Sequence, residues 1–256
     1  MSVPPSPDPA ARGPRSDGEG ASVERFPRTW RQRALLVPLT RALKLWYRPR
    51  VHGLEQVPAH RPVVYVAKHP RGYLYLEVMM LGLVTFWDSG RVPFRPMEKR
   101  DTSLHRIPGL AWVRRHVGTI EATEEAGLAA LRGGESVLVF PGGARELYGP
   151  ADRLDWRGRR GYAQLAARAG VPVVPVAIAG ADQQHPLRLP LGRRGSLWLP
   201  PVPLPVPLDY WFGAPLPPPA SADAAAVASF ADDVTAAAQA LLDRSVQARR
   251  SPWRIA

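Results

Sequence analysis

From residue 51 onward, short continuous apolar runs alternate with longer stretches of helical periodicity. Short apolar runs bounded by polar or glycine positions are typical of buried strands; here they cover 63–67, 136–140 and 171–178. Weaker strand patterns cover 91–95 and 118–120. Apolar or amphipathic stretches that predict helices cover 73–87, 107–117, 123–131, 160–169 and 222–249. This alternation predicts a single α/β domain over residues 51–248, in which helices flank a mostly parallel central sheet.

Three segments depart from this pattern. Residues 1–24 are rich in Pro, Gly, Ser and charge, which predicts a disordered tail, and 249–256 are expected to form a C-terminal tail. Residues 200–219 are crowded with proline. Because proline lacks the N–H that a strand ladder uses, we expect this last segment to be extended and edge-like rather than a central strand.

Residues 25–50 form a basic segment that precedes the domain and contains no acidic residue. Its apolar positions recur at spacings of three and four, as on one face of a helix: Leu36, Leu39, Leu43 and Trp46. In one interpretation, this amphipathic helix lies on anionic lipid, with Trp30, Trp46 and Tyr47 at the interface. In the other, it is the first helix of the domain, its apolar stripe packs on the core, and its charges are simply solvated.

The charge and the missing cysteine narrow the classes of function. The net charge of +12 indicates an anionic partner, which can be a nucleic acid, a membrane surface or a phosphorylated substrate. The chain has no cysteine, which excludes disulfides, a thiolate nucleophile and Cys-ligated zinc.

The first residues of the chain lack an apolar signal core, and the longest apolar run, 78–87, is about half of the ~20 residues that a spanning helix needs. We therefore expect no secretory peptide and no transmembrane helix. We also expect no metal site, because the histidines are scattered and carboxylates at ligand spacing are missing.

Two turns follow buried strands, where ligands gather in open α/β sheets. His69 comes directly after the strand at 63–67 and opens the sequence His-Pro-Arg-Gly. An imidazole at that place can act as a general base near neutral pH, although a lone histidine is more often a surface or capping residue. Pro70 and Gly72 favour the catalytic interpretation, because they indicate a tight and fixed turn.

The second turn, 140–146, reads Phe-Pro-Gly-Gly-Ala-Arg-Glu. Gly142 and Gly143 allow a ligand to approach the backbone closely and allow N–H groups to point at negative charge. Arg145 can bind a phosphate or carboxylate through two hydrogen bonds. An ordinary glycine-rich turn with a solvated arginine is the alternative.

Arginines that could bind lipid headgroup phosphates or the nucleotide of coenzyme A cluster around Trp156: Arg153, Arg157, Arg159 and Arg160. A nucleic-acid interface needs a reading helix or an aromatic platform as well, and the sequence indicates neither. We therefore expect no nucleic-acid partner, and a solvated run of charge remains the alternative.

Together these blocks resemble the glycerolipid acyltransferase superfamily, which includes lysophosphatidate and glycerol-phosphate acyltransferases. The resemblance covers roughly residues 50–245 and rests on the order of the blocks more than on any single motif. The matching blocks are His69 after its strand, Ile107-Pro-Gly-Leu-Ala-Trp with Val117-Gly-Thr-Ile, Phe140-Pro-Gly-Gly-Ala-Arg, Gly170-Val-Pro-Val-Val-Pro-Val and Phe212-Gly-Ala-Pro-Leu.

Two departures refine the resemblance. The family pattern is a His, four intervening residues and then an Asp, and this chain has Leu74 at the position of that Asp. The family also usually has Glu where this chain has Gly142. Both changes resemble the diacylglycerol acyltransferase-like branch, which acts on neutral glycerides or other lipid alcohols. The carboxylate that supports His69 is then Glu146 or Glu77, and the sequence does not distinguish them.

The resemblance implies an O-acyltransferase that moves a fatty acyl group from acyl-CoA or acyl carrier protein to a lipid hydroxyl. His69 is the implied catalytic base. The implied substrate-binding residues are Arg71, Gly72, Gly142, Gly143, Arg145 and Glu146. No cofactor is implied, since the acyl thioester is a co-substrate, and the expected partners are the lipid acceptor and an anionic membrane surface. We expect a cytoplasmic, peripherally membrane-associated enzyme. The alternatives are a 1-acylglycerol-3-phosphate acyltransferase specifically, an inactive lipid-binding relative or, from a different class, a basic nucleic-acid-binding protein.

Overall fold

The computed structural model describes Pro38 and residues 41–71, 76–99, 118–190 and 196–250. The strands in this part of the chain are β1 (Arg50–His52), β2 (Val64–Ala67), β3 (Phe94–Glu98), β4 (Ile120–Glu121), β5 (Ser136–Val139), β6 (Val173–Ala179), β7 (Leu187–Pro190), β8 (Ser196–Leu199) and β9 (Asp209–Phe212). The α-helices are α1 (41–47), α2 (Leu76–Gly82), α3 (Glu124–Arg132), α4 (Gly161–Ala169) and α5 (Ala224–Arg250). A π-helical turn, Leu83–Trp87, continues α2, and two short 3₁₀ helices cover Leu54–Gln56 and Gly143–Leu147.

Within the described residues, seven strands form one sheet in the order β1-β9-β6-β2-β5-β3-β4. The five strands from β6 to β4 run parallel to one another. β9 pairs antiparallel with β6, and β1 pairs parallel with β9. The sheet is therefore mostly parallel with helices packed on it, and the predicted α/β fold is confirmed.

The central strand β2 shows how the apolar pattern produces this architecture. Successive side chains of a strand point to opposite faces of the sheet. Val64 and Val66 pack with α3, α4 and α5, whereas Tyr65 and Ala67 pack with α1 and α2. A parallel strand covered on both faces needs apolar residues at every position, and all four residues of β2 are buried.

Two of the predicted strands differ from the structure. The strand expected at 91–95 lies three residues later, at Phe94–Glu98. The expectation of an edge-like segment at 200–219 is wrong, because β9 lies inside the sheet between β6 and β1. The prolines flank β9, and Asp209–Phe212 contains none, so every N–H of the strand is available to its neighbours.

Helix α1 is the described part of the basic N-terminal segment. Leu43 and Tyr47, four residues apart, are buried in the core, so the interpretation as the first helix of the domain holds for this part. The expected position of Tyr47 at a lipid interface is wrong. Trp46 is 44% exposed and donates from Nε1 to the Pro203 carbonyl, 3.2 Å away. Trp30, Leu36 and Leu39 lie outside the described residues.

The C-terminal helix was expected at 222–249, and α5 runs from Ala224 to Arg250, two residues into the predicted tail. Strands β7 and β8 were not predicted; they pair antiparallel as a separate two-stranded hairpin. In the part of the chain that the structure describes, no helix combines the length and apolarity needed to cross a bilayer.

Candidate active site

His69 lies two residues past the end of β2, where the chain leaves the sheet. Its ring atom Nδ1 is 2.9 Å from the Pro70 carbonyl oxygen. A carbonyl can only accept a hydrogen bond, so Nδ1 carries the proton and the lone pair of the neutral ring lies on Nε2. The ring packs against Phe140, with centroids 4.9 Å apart. The carbonyl of the next residue in the chain thus fixes the tautomer and the orientation of the imidazole.

The surroundings of His69 favour its neutral form. Burial lowers the pKa of His69 below its usual value of 6.5, and the positive charge of Lys68 lowers it further. The hydrogen bond to the Pro70 carbonyl opposes these effects by favouring the protonated ring. The imidazole is therefore neutral at physiological pH, which is the form in which it can accept a proton.

Of the two carboxylates left open by the sequence, Glu146 contacts His69, and it does so through the backbone. Glu146 is 1% exposed. Its Oε2 accepts from the His69 backbone N–H at 2.9 Å, and its Oε1 accepts from the Asp155 backbone N–H at 3.0 Å. Burial raises the pKa of Glu146, while these two donors and Lys68 pull it back down. Glu146 was expected to bind substrate; the structure places it beneath the turn, where it fixes the position of His69.

The second carboxylate, Glu77, is buried in α2. Burial raises its pKa to about 7. Its charge acts on two buried tyrosines, Tyr47 and Tyr210, whose pKa values are raised first by burial and then by that charge. The Tyr210 hydroxyl donates to the Glu77 backbone carbonyl at 2.7 Å. This hydrogen bond joins α2 to β9.

Gly142 is explained by the position of Glu146. A Cβ added at Gly142 would collide with Cγ and Cδ of Glu146 and would lie 2.5 Å from its Oε2. Because position 142 has no side chain, the carboxylate of Glu146, four residues later in the chain, has space to lie there. Gly143 has a φ of +62°, in the left-handed region that glycine adopts most easily, and its N–H donates to the Phe140 carbonyl at 3.0 Å. This N–H closes the turn, contrary to the expectation that it points at a ligand.

His69 and the 140–146 turn share a cavity of about 750 Å³ at the carboxyl ends of β2, β3 and β5. Its walls are mostly apolar and include Val78, Met97, Val139, Phe140 and Leu165. Its basic lining residues are Lys99, Arg145, Arg159 and Arg160. An apolar cavity with cationic groups and a base along its wall can hold a hydrocarbon chain that carries an anionic group.

The arginines of the two predicted clusters have different positions. Arg145 is exposed and lines the cavity, as expected. Arg159 also lines it, and its Nη1 donates to the carbonyls of Pro141 and Gly142 at 2.8 and 3.2 Å. Arg157 forms an ion pair with Asp155 at 3.0 Å instead. The predicted basic cluster is thus divided between the cavity, the turn and the surface.

Arg71 lies outside the set of described residues that line the cavity. Its guanidinium lies 4.2 Å from the ring centroid of Trp198, and its Nη2 donates to the Gly149 carbonyl at 3.2 Å. Gly72, Leu74 and the block at 107–117 lie outside the described residues. Sequence reasoning missed Met97 and Lys99 at the end of β3, because the predicted strand ended three residues too early. It also missed the role of the Pro70 carbonyl. Every residue has a backbone carbonyl, so the residue type does not show which one accepts a hydrogen bond.

Comparison with known proteins places this chain in a family. The family model described as Acyltransferase matches residues 48–179, just over half of the chain. A human "DGAT1/2-independent enzyme synthesizing storage lipids" is 27% identical over 134 residues, which cover 52% of this chain and 40% of that protein. An uncharacterised protein of Mycobacterium tuberculosis is 28% identical over 158 residues, covering 60% of this chain and 44% of its own. This chain thus spans less than half the length of the curated relatives it matches.

The fold also has a counterpart among solved structures. The crystal structure of the 1-acyl-sn-glycerophosphate (LPA) acyltransferase PlsC from Thermotoga maritima aligns with a TM-score of 0.53. The alignment covers 88% of this chain and 86% of that one, at 20% sequence identity. At that identity the likeness concerns the fold.

Proposed function

This chain belongs to the acyltransferase family, and on that premise we propose that it moves a fatty acyl group from an acyl thioester to a lipid hydroxyl. The donor in this proposal is acyl-CoA or acyl carrier protein, and the acceptor is a glycerolipid or another lipid alcohol. His69 is the general base, and the enzyme works at the cytoplasmic face of an anionic membrane.

The observation that carries the proposal is the orientation of His69 in the cavity wall. The Pro70 carbonyl holds the proton on Nδ1, so the lone pair is on Nε2, and the ring lines a mostly apolar cavity of about 750 Å³. Together with Glu146, which anchors the backbone of His69, this contact supplies an orientation for the base without the Asp that Leu74 replaces.

The reaction then has two steps at His69. Nε2 takes the proton of the acceptor hydroxyl as the oxygen attacks the thioester carbonyl carbon. A carbon–oxygen bond forms, and the resulting tetrahedral intermediate collapses with cleavage of the carbon–sulfur bond. The protonated imidazole returns its proton to the leaving thiolate, so His69 ends neutral and no acyl-enzyme forms. Arg145 holds an anionic group of one substrate at the cavity rim.

A pair of histidine variants tests the base. In His69→Asn, the amide nitrogen can still donate to the Pro70 carbonyl, but no group remains in the position of Nε2. Transfer should fall by ~10²–10⁴ in kcat, the usual loss for a missing general base. His60→Asn is the matched control, because His60 is an exposed histidine outside the cavity lining. A His69→Asn enzyme with wild-type transfer would refute the assignment.

The choice of acceptors in the assay separates the alternatives. Diacylglycerol, monoacylglycerol and lysophosphatidate should each be offered with acyl-CoA and with acyl carrier protein. Activity on neutral glycerides agrees with the proposed function. Activity on lysophosphatidate alone identifies the narrower 1-acylglycerol-3-phosphate acyltransferase, and lipid binding without transfer to any acceptor identifies an inactive relative.

A further inference from the structure

The hairpin of β7 and β8 carries leucines along one face. The strands pair antiparallel, with Leu187 opposite Leu199 and Leu189 opposite Leu197. Residues directly opposite each other share a face, and alternate residues along a strand share it too. These four residues therefore form one apolar face, which we call the leucine face. It is open to solvent, since Leu187 is 64% exposed and Leu189 is 47% exposed.

The other face of the hairpin contacts residues that neighbour the His69 and 140–146 turns. Trp198 is buried there, with the Arg71 guanidinium 4.2 Å from its ring centroid. Arg188 lies 5.9 Å from the same ring and 5.7 Å from the ring of Tyr148. Arg71 is two residues from His69, and Tyr148 ends the 3₁₀ turn that contains Arg145. Whatever docks on the leucine face is thus held close to both catalytic turns.

Exposed apolar residues continue beyond the hairpin into two other segments. The loop after β8 exposes Val202 and Leu204, at 64% and 38%. Hydrogen bonds fasten this loop to the start of the hairpin, from the Leu204 N–H to the Gln184 carbonyl at 3.0 Å and from His185 Nδ1 to the Pro200 carbonyl at 2.7 Å. On its other side, the loop accepts the bond from Trp46 of α1. Soluble monomers seldom expose apolar residues over so many adjoining segments without an interaction to make.

Charge decides which partner fits this surface. Among the described residues of 183–208, Arg188 is basic and none is acidic. Residues 41–50, which include α1, are also basic without an acidic residue, and of their cations Lys44 is paired with Asp88. Arg48 Nη2 donates to the Pro205 carbonyl at 2.9 Å, which places that positive charge beside the loop. A second copy of the chain would bring like charges together, which opposes association. An anionic bilayer offers both hydrocarbon and negative charge.

We propose that the leucine face, with Val202, Leu204 and Trp46 beside it, is the surface that docks on an anionic lipid bilayer. The leucines enter the headgroup boundary, Arg48 beside the loop contacts lipid phosphates, and the hairpin holds the His69 and 140–146 turns close to the membrane. The proposal deepens the proposed function, because a lipid acceptor must reach His69 from a bilayer.

The test is binding of the full chain to vesicles of phosphatidylcholine mixed with phosphatidylglycerol, measured by sedimentation. Leu187→Gln with Leu189→Gln removes two exposed leucines without changing the charge. The partition coefficient should fall by ~10-fold or more, because even partial burial of two leucines is worth that much. Val51→Gln is the matched control, since Val51 is an exposed apolar strand residue, 39% accessible, outside the proposed surface. It should leave binding unchanged.

A second readout separates this proposal from the proposed function. In the leucine double variant, transfer to a short-chain, water-soluble acceptor should stay at the wild-type rate, whereas transfer to an acceptor embedded in vesicles should fall with binding. A wild-type chain that binds vesicles but transfers to no acceptor overturns the proposed function and leaves the docking surface standing.

Two results would overturn the docking surface. One is unchanged vesicle binding by the double variant, and the other is an equal loss of binding in Val51→Gln. If the double variant keeps vesicle binding but has a lower unfolding midpoint or loses self-association, another segment of this chain, or a second copy, covers the leucines.

Discussion

Substituting Gly142 by alanine should disrupt the 140–146 turn through the side chain of Glu146. The added methyl group would occupy the space of the Glu146 side chain, colliding with its Cγ and Cδ. Glu146 is 1% exposed and fixed at both oxygens, so it can only yield by giving up its hydrogen bonds. The perturbation therefore reaches His69 through Glu146, whose Oε2 holds the His69 backbone.

The expected cost follows from the two bonds that Glu146 accepts. Each joins a carboxylate to a backbone N–H, from His69 at 2.9 Å and from Asp155 at 3.0 Å. A hydrogen bond to a charged group contributes ~1.5–3 kcal/mol to stability. The Glu146 side chain can shift and retain part of these two hydrogen bonds. We therefore expect Gly142→Ala to lower the free energy of unfolding by about 3–5 kcal/mol. Transfer activity should fall as well, since the His69 backbone loses its anchor.

The assay is equilibrium unfolding in urea, run as a double-mutant cycle with Glu146→Ala. Glu146→Ala leaves the same two N–H groups unsatisfied and should cost about as much as Gly142→Ala. The double variant should be no less stable than Glu146→Ala alone, because the methyl group then has nothing to displace. Gly161→Ala is the matched control, since a Cβ there meets nothing within 4 Å, and it should be neutral or slightly stabilising.

Two results would refute this reasoning. If Gly142→Ala unfolds at the wild-type urea concentration, the turn accommodates a methyl group and Glu146 is not confined by Gly142. If the losses of the two single variants add in the double variant, the two residues act independently.

Three further predictions concern charged groups of the site and core. Because burial lowers the pKa of His69, the acid limb of the kcat/KM profile should lie below pH 6.5, and a limb above that value would contradict the environment described for the base. Burial raises the pKa of Glu77 from 4.5 to about 7, so between these values the folded protein keeps a proton on Glu77 that the unfolded chain releases. The contribution of Glu77 to the free energy of unfolding is therefore complete below pH 4.5 and is lost as the pH rises through about 7. Glu77→Gln should therefore raise the free energy of unfolding at about pH 8.5 by about 3 kcal/mol in urea unfolding, and a fall there would contradict this account. Arg145→Gln should raise KM for the anionic substrate with little change in kcat, as expected for equal binding in the ground and transition states; a loss confined to kcat would give Arg145 a role in the transition state alone.

Much of the fold could be predicted from local patterns because those patterns report burial directly. A strand covered on both faces must be apolar at every position, and β2, β5 and β6 were found for that reason. The composition of 200–219 predicts an edge-like segment because prolines crowd it as a whole, whereas the four residues of β9 within it contain none. The leucines of β7 and β8 alternate over only four residues a strand, and the pairing of the two strands brings them to one face.

The sequence by itself determined the parallel α/β framework and the two strand ends that carry His69 and the 140–146 turn. These features depend on residues that are neighbours along the chain, where side-chain periodicity acts directly. Only the tertiary structure decided that Glu146 accepts a hydrogen bond from the His69 backbone, 77 positions away in the sequence. It also decided that the Glu146 carboxylate occupies the space that a side chain at position 142 would need. The physical reason is that a buried carboxylate must find hydrogen-bond donors, and which donors lie within reach depends on how distant segments of the chain pack together. Local patterns of residue type carry no information on that packing.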